Sequence, residues 1–284
     1  MQIMLKIKGE ILKNEKMRKW TTMGVGGPVD TLIFPKDKED LQKIITYIKE
    51  RDISYLIMGK GSNIIFSERG YRGIIVRMDR LTNISIKTEK IEVEAGYLLN
   101  NLIKVSQERG WGGIEKLYGI PGTVGGALAM NAGAYGQEIS DVVEKVEIQD
   151  ENDFEYSAGY RWSNVGKRFI YSAIMKLKKM DGEIIKRNME EALQKRKKSQ
   201  PMNFRSSGSI FKNSGDVKAW KLIKKCGLAG TKIGGALVSK KHANFIVNDG
   251  SATGDDVISL IELIKKRVYE ETGIDLELEV KVVK

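Results

Sequence analysis

Tyr55-Leu56-Ile57-Met58-Gly59-Lys60-Gly61-Ser62-Asn63-Ile64-Ile65-Phe66 sets an apolar strand against a turn of small and polar residues, then starts a second apolar run. Small residues let backbone N–H groups come close to an anion, so Gly59, Lys60, Gly61, Ser62 and Asn63 read as a phosphate nest. The stretch is not a Walker loop: that pattern needs glycine at position 54, where Ser54 stands, and a helix in place of Ile64-Ile65-Phe66. Residues 30–34 and 73–76 are further short apolar strands on either side. Between them, 35–52 carries Leu41, Ile44, Ile45 and Ile48 at helical spacing, with Asp37, Glu39 and Asp40 at the start, where the helix dipole favours acids. This order predicts a small α/β lobe.

A second glycine-rich run reads Gly119-Ile120-Pro121-Gly122-Thr123-Val124-Gly125-Gly126-Ala127, followed by Asn131-Ala132-Gly133-Ala134-Tyr135-Gly136. Neither it nor residues 24–29 contain the G-x-G-x-x-G fingerprint, so the usual dinucleotide fold is not indicated. On spacing alone, structural turns explain the run as well as ligand binding does. Around it, residues 81–93 alternate apolar and polar positions, 98–103 restarts a helical pattern, and 143–148 and 169–177 are strand candidates. A charged helix is predicted over 183–198, ending in Lys195, Arg196, Lys197 and Lys198 before Gln200 and Pro201 break it, which places a domain boundary near residue 180. In the last region, 255–271 puts Val257, Leu260, Ile261, Ile264 and Val268 on one helical face, Gly273 ends the helix, and 276–283 alternates like a strand.

A chain of 284 residues with 41% hydrophobic content can bury a substantial core. Its formal charge of +11 suits anionic partners but does not choose among nucleic acid, a membrane surface and a phosphorylated substrate. Lys6, Lys8 and Glu10 interrupt residues 1–12, so that stretch offers neither a secretory apolar core nor a membrane span. Cys226 is the only cysteine, so the fold does not rest on an intramolecular disulfide and the cytoplasm is the expected setting.

Chemistry-bearing residues are sparse. Tyr160-Arg161-Trp162-Ser163 sets a guanidinium, which grips carboxylates in a bidentate fashion, among aromatic residues. Ser206-Ser207-Gly208-Ser209-Ile210-Phe211-Lys212-Asn213 gathers hydroxyls beside a cation and an amide, and by itself is equally a polar turn. No G-x-S-x-G elbow occurs. His242 is the sole histidine, which speaks against a zinc cluster, and Glu277 and Glu279 sit two apart on the C-terminal stretch.

Taken in order, Thr22-x-Gly24-Val25-Gly26-Gly27-Pro28, Gly59-x-Gly61-Ser62-Asn63, Gly119 to Gly126, Asn131 to Gly136, Gly159-Tyr160-Arg161-x-Ser163 and Gly208-Ser209-x-Phe211-Lys212-Asn213 resemble the UDP-N-acetylenolpyruvoylglucosamine reductase (MurB) family. Lys232-Ile233-Gly234-Gly235-Ala236, His242 to Asn248 and Leu276-Glu277-x-Glu279-Val280 extend the resemblance over nearly the whole chain. It implies an α+β fold: a two-lobed FAD-binding region of the vanillyl-alcohol-oxidase type (1–80 and 81–180) and a smaller α+β substrate domain (181–284). It further implies that Gly59, Lys60, Gly61, Ser62, Asn63, Gly119, Ile120, Pro121, Gly122, Thr123, Gly125 and Gly126 hold FAD. The flavin would be noncovalent, since neither loop contains histidine or cysteine.

By the same resemblance, the reaction is NADPH-dependent reduction of UDP-N-acetylglucosamine enolpyruvate. Ser209 would donate a proton, Arg161 and Glu279 would stabilise the enolate-like carboxylate, and Tyr135, Lys212, Asn213 and His242 would contact the substrate. The lysine run at 195–198 is suitably cationic for a diphosphate. No metal, nucleic acid, membrane or obligate protein partner is expected. Ala158, Ser214 and Leu237 depart from residues common in the family, without removing a proposed catalytic group. The short connection across these motifs resembles the branch of the family without an extra substrate-covering insertion. Two rivals remain at this point: another noncovalent flavin oxidoreductase on the same fold, and a nucleic-acid-binding protein supported by charge alone.

Overall fold

The structure is a computed structural model, which describes residues 5–87, 90–149, 151, 154–215 and 217–284. Residues 1–4, at the start of the stretch read as offering no membrane span, lie outside the described residues. The chain groups into two compact units that are not consecutive in sequence. The first holds 1–13, 31–60 and 73–195, the second 14–30, 61–72 and 196–284. Segments 14–30 and 61–72, inside the expected first lobe, thus group with the C-terminal third.

In the first unit, Tyr55–Met58 runs parallel to residues 74–77, with Tyr55 opposite Ile74. The predicted helix α1 spans Lys38–Glu50, and Asp37 caps it by accepting from the Asp40 N–H at 3.0 Å. Its apolar stripe, Leu41, Ile44, Ile45 and Ile48, packs on Ile33, Ile74, Val76 and Phe169. A second sheet follows the order Val143–Ile148, Ile170–Lys176, Lys90–Glu94, Ile84–Lys87 and is antiparallel throughout. Its inner face, with Val93, Val146, Ala173 and Met175, is covered by α2 (Leu99–Glu108), α3 (Val124–Ala129) and the start of α4 (Gly182–Ser199) through Leu99, Leu102, Ile103, Leu128 and Ile185.

Helix α3 grows out of the glycine run, where the spacing predicts only turns. Thr123 accepts from the Gly126 N–H at 3.2 Å and starts the turn. Gly125 is needed for packing, because a Cβ there would stand 2.7 Å from that of Ala95.

The second unit carries an antiparallel sheet in the order Arg205–Ser209, Phe245–Asn248, Ala236–Val238, Lys232–Ile233. Against it lie α5 (Ala219–Lys225) and the long helix α6 (Gly254–Thr272). A capping box joins Thr253 and Asp256 at the start of α6, and Gly273 closes it in the left-handed region with φ 70°. Met23, Val25, Ile65, Ile210, Phe211, Val238, Ile246, Leu260 and Ile264 make the core.

The expected strand over 276–283 is real only at Lys281–Val283, which pairs in parallel with Ile64–Phe66. Upstream of it the same backbone leans on another neighbour: Lys212 N–H donates to Glu277 O at 2.8 Å and Glu279 N–H to Ile210 O at 2.8 Å. A segment that changes partner midway forms no continuous ladder. None of the described helices is long and apolar enough to cross a membrane.

Candidate active site

Gly59 and Lys60 turn the chain at the end of Tyr55–Met58. A Cβ on Gly59 would fall 2.4 Å from Thr123 Oγ1, so in the first unit only glycine lets this turn touch the second glycine run. Within that run the backbone is fixed from several sides. Gly119 N–H donates to Asn100 Oδ1 at 2.8 Å, Gly122 O accepts from Leu99 N–H at 3.1 Å and Gly125 N–H donates to Ala95 O at 2.8 Å. Ile120 N–H donates to Leu117 O at 3.0 Å, and Pro121 stands exposed beside it.

Among the described residues, the N–H groups of Gly59, Lys60, Gly122 and Thr123 donate to no protein acceptor. Thr123 is buried, which makes its amide a donor in need of a partner. Gly61 begins the part of the first loop that belongs to the second unit. Its φ of 74° and the 2.3 Å that would separate an added Cβ from Trp20 O make glycine obligatory there. Asn63 Nδ2 donates to Glu279 O at 3.0 Å, and Ser62 joins Asn63 to Gly61 in sequence. Several backbone donors without acceptors, in a turn too tight for side chains, fit a diphosphate such as that of FAD.

Also in the first unit, Arg161 occupies the tip of a hairpin made by Ala158–Gly159 and Trp162–Ser163, with φ 53°. Its Nη2 donates to Gly133 O at 2.9 Å and its guanidinium lies 5.2 Å from the centre of the Tyr160 ring. Tyr135, exposed and likewise at φ 53°, is the tip of a second hairpin, Gly133–Ala134 with Gln137–Glu138. Lys195 Nζ stands 5.8 Å from the Tyr135 ring centre. The cationic run that follows is not uniformly solvated: Arg196 is buried, while Lys197 accepts at its carbonyl from Lys241 Nζ.

In the second unit the structure brings Ser209 and Glu279 onto neighbouring stretches, since Glu279 N–H binds the carbonyl of Ile210, the residue after Ser209. A register shift between Ser206 and Ser209 marks a bulge, with Gly208 at φ 75° and open space where its Cβ would be. Such a bulge re-aims the next side chain, here the Ser209 hydroxyl. Lys212 pairs with Glu277 at 2.6 Å. Asn213 Oδ1 accepts from Ala219 N–H at 3.2 Å, a contact that fastens the start of α5.

His242 sets its ring edge-on to Phe245, 4.9 Å between centres, and Phe245 is the cross-strand partner of Ser209. Burial pushes the imidazole below its ordinary value, towards the neutral form. Its Nδ1 is buried without a hydrogen-bond partner among the described residues.

Two supporting residues were not singled out from the sequence. Asn244 is buried and returns both backbone bonds of Phe211, with Oδ1 accepting at 3.0 Å and Nδ2 donating at 2.8 Å. An asparagine just before the apolar run Phe245-Ile246-Val247 was the available signal. The second is Asn131, fully buried between the two hairpins of the first unit. The described residues contain no cluster of three or more side chains suited to a metal.

Comparison with known proteins bears on the whole chain. Residues 29–153 match the FAD binding domain family, and 200–283 match the C-terminal domain of UDP-N-acetylenolpyruvoylglucosamine reductase. The UDP-N-acetylenolpyruvoylglucosamine reductase of Caldanaerobacter subterraneus subsp. tengcongensis is 42% identical, covering 97% of this chain and 94% of its own. That of Clostridioides difficile is 41% identical, with the same coverage of 97% and 94%. The crystal structure of the reductase (MurB) from Thermus caldophilus aligns with a TM-score of 0.82 at 33% identity, over 98% of this chain and all of the other.

Proposed function

Because the chain belongs to the UDP-N-acetylenolpyruvoylglucosamine reductase family, we propose that it reduces UDP-N-acetylglucosamine enolpyruvate to UDP-N-acetylmuramate with NADPH, as a step of peptidoglycan precursor synthesis. The enzyme is an FAD-dependent oxidoreductase. When bound, FAD supplies the hydride that the substrate receives at the terminal carbon of its enol ether. The remaining work falls to side chains of this chain.

Hydride addition leaves negative charge on the adjacent carbon, delocalised into the carboxylate. Arg161 would bind that carboxylate through its planar fork and hold the developing charge. Ser209 would deliver the proton to the carbanionic carbon, with Glu279 polarising the carboxylate as charge accumulates. A serine hydroxyl is a weak acid, so this transfer depends on the strong basicity of the carbanion. Gly59 to Asn63 and Gly119 to Gly126 would receive the flavin, their unused N–H groups facing its diphosphate. Tyr135, Lys212, Asn213 and His242 are assigned to substrate contact. Lys212 would exchange its pairing with Glu277 for an anionic group of the substrate. A neutral His242 offers an acceptor or a single N–H donor without adding charge.

On this reading 1–80 and 81–180 serve the flavin and 181–284 the nucleotide sugar. The enzyme works in the cytoplasm, where Cys226 stays a reduced thiol. The observation that carries the reading is local: the Gly208 bulge and the Glu279 to Ile210 bond set a hydroxyl and a carboxylate on adjacent backbone in the second unit. The test is anaerobic absorbance of the purified protein. NADPH should bleach its flavin, and UDP-N-acetylglucosamine enolpyruvate should restore the oxidised spectrum. Bleaching without restoration would assign the fold to another oxidoreductase chemistry, and a protein that takes up no FAD would overturn the reading.

A further inference from the structure

Among the described residues, five non-glycine side chains occupy the left-handed backbone region: Asn14, Asp52, Asn131, Tyr135 and Arg161. Three of the five meet in one place in the first unit. Each costs on the order of 1 kcal/mol, and such strain persists where surrounding contacts hold a functional side chain in place.

The contacts that hold it here converge on Asn131. Its Nδ2 donates to Glu138 Oε2 at 2.7 Å and to Gly159 O at 3.0 Å, while Oδ1 accepts from Ser140 N–H at 3.3 Å. Both amide hydrogens are therefore committed. Gly159 sits in the hairpin whose tip is Arg161, and Glu138 in the hairpin whose tip is Tyr135. A second link closes the circuit. Arg161 Nη2 binds Gly133 O, and Gly133 is the cross-strand partner of Glu138. The path Asn131, Gly159, Arg161, Gly133, Glu138 returns to Asn131 without passing through solvent-exposed side chains at the joints. Glu138 is itself anchored, its N–H donating to Asp141 Oδ2 at 2.8 Å.

We infer that Asn131 is a positioning residue of the reaction, with Glu138 as its partner: one buried amide fixes the turn from which Arg161 reaches the substrate carboxylate and fixes the Tyr135 hairpin with it. The inference rests on the role proposed for Arg161. Asn131 touches no substrate and acts through the two hairpins.

Three variants of the flavin-loaded enzyme test it. Asn131→Gly tolerates the left-handed backbone and removes the amide. Asn131→Asp keeps the shape but cannot donate to Glu138 or Gly159. Asn131→Asp/Glu138→Gln restores the bond between the two side chains with donor and acceptor exchanged. In stopped-flow absorbance, bleaching by NADPH should stay at the wild-type rate. Reoxidation by the enolpyruvyl substrate should fall about 10- to 100-fold in the first two variants, the size expected from misplacing a charged group by about 1 Å. The double variant should recover part of that loss. Placed on Arg161→Ala, Asn131→Gly should add much less than its own full loss, since the part that passes through Arg161 is already gone and only the Tyr135 hairpin is left to disturb. Backbone amides of 158–163 should exchange hydrogen faster in Asn131→Gly.

Wild-type reoxidation in Asn131→Gly, a loss that multiplies with that of Arg161→Ala, or unchanged exchange at 158–163 would overturn the inference. If Asn131→Gly does not fold, a double variant no faster than Asn131→Asp overturns it and a faster one supports it. Wild-type reoxidation in Arg161→Ala itself is a different result: it removes the role proposed for Arg161, and this inference falls with it.

Discussion

The turn bearing Arg161 is held by side chains, the strand bearing Ser209 by backbone. In the first, the amide of Asn131, the carboxylate of Glu138 and the guanidinium itself close a ring of hydrogen bonds around backbone in strained conformations. In the second, Ser209 sits in a sheet next to Phe245, and the following residues bind Asn244 and Glu279 main chain over a floor of Ile210, Phe211 and Val280. A ladder is cooperative and tolerates the loss of a side chain that points away from it. A ring of single side-chain bonds fails when one member is removed, because each removal leaves a buried or half-buried polar group without that partner. The same molecule thus places one proposed proton donor robustly and one proposed anion clamp by a mechanism sensitive to single substitutions.

The largest effect expected is the one that leaves the ladder untouched. Ser209→Ala should retain FAD and its reduction by NADPH while substrate-driven reoxidation drops by about 10²- to 10⁴-fold, the range for a lost proton donor. Unchanged reoxidation in rapid mixing would dismiss the serine. Breaking the ladder's own brace comes next. Asn244→Ala strands both the N–H and the C=O of Phe211 in the core and should cost roughly 2–3 kcal/mol in denaturant unfolding. A cost near zero would mean that the backbone at Phe211 does not need the Asn244 side chain.

Gly133→Ala presses on the side-chain ring from inside. The added methyl would lie 2.9 Å from Glu138 Cγ and 3.1 Å from Arg161 Nη1, so the guanidinium has to shift. Turnover should fall about tenfold with bound flavin retained, a smaller loss than removal of a charge-stabilising group brings. Wild-type turnover would show that Arg161 has freedom the ring does not suggest.

The smallest effect concerns pH. Burial lowers the folded-state value of His242 below 6.5, so as pH falls through 6.5 the unfolded chain takes up the proton first. Stability contributed by neutral His242 is present above 6.5 and is lost on acidification towards the folded value. His242→Phe should flatten that part of the stability curve, and an identical curve in the variant would show that other groups set it.

The elements legible in the sequence were those written as periodic patterns. Helices α1, α4 and α6 fall where apolar spacing and end signals put them, with Asp37 and Gly273 as caps, and the pattern at 98–103 marks only the first half of α2. Glycine-rich α3 was illegible, because glycine reads as loop unless packing against Ala95 is known. The C-terminal strand was half legible: alternation says that a segment is extended, not that it will change partner at residue 281. Ser209, Arg161 and Glu279 became candidates only through ordered motifs, since no local pattern separates them from polar turns. Asn131 lay in plain view within such a motif, yet a buried amide joining residues 138 and 159 is a tertiary fact. The non-consecutive grouping of segments was invisible for the same reason.

That grouping has a consequence for how the protein is made. Asn63 binds the carbonyl of Glu279, 216 residues further along, and Ile64–Phe66 finds its parallel partner only at Lys281–Val283. On a ribosome, segments 14–30 and 61–72 emerge early and wait for nearly the whole message to be read before their unit can close. Meanwhile Met23, Val25 and Ile65, all destined for a core, remain without their C-terminal neighbours. The nascent chain therefore carries unburied apolar segments through most of its synthesis, and stalled or truncated products are the ones a chaperone should hold longest.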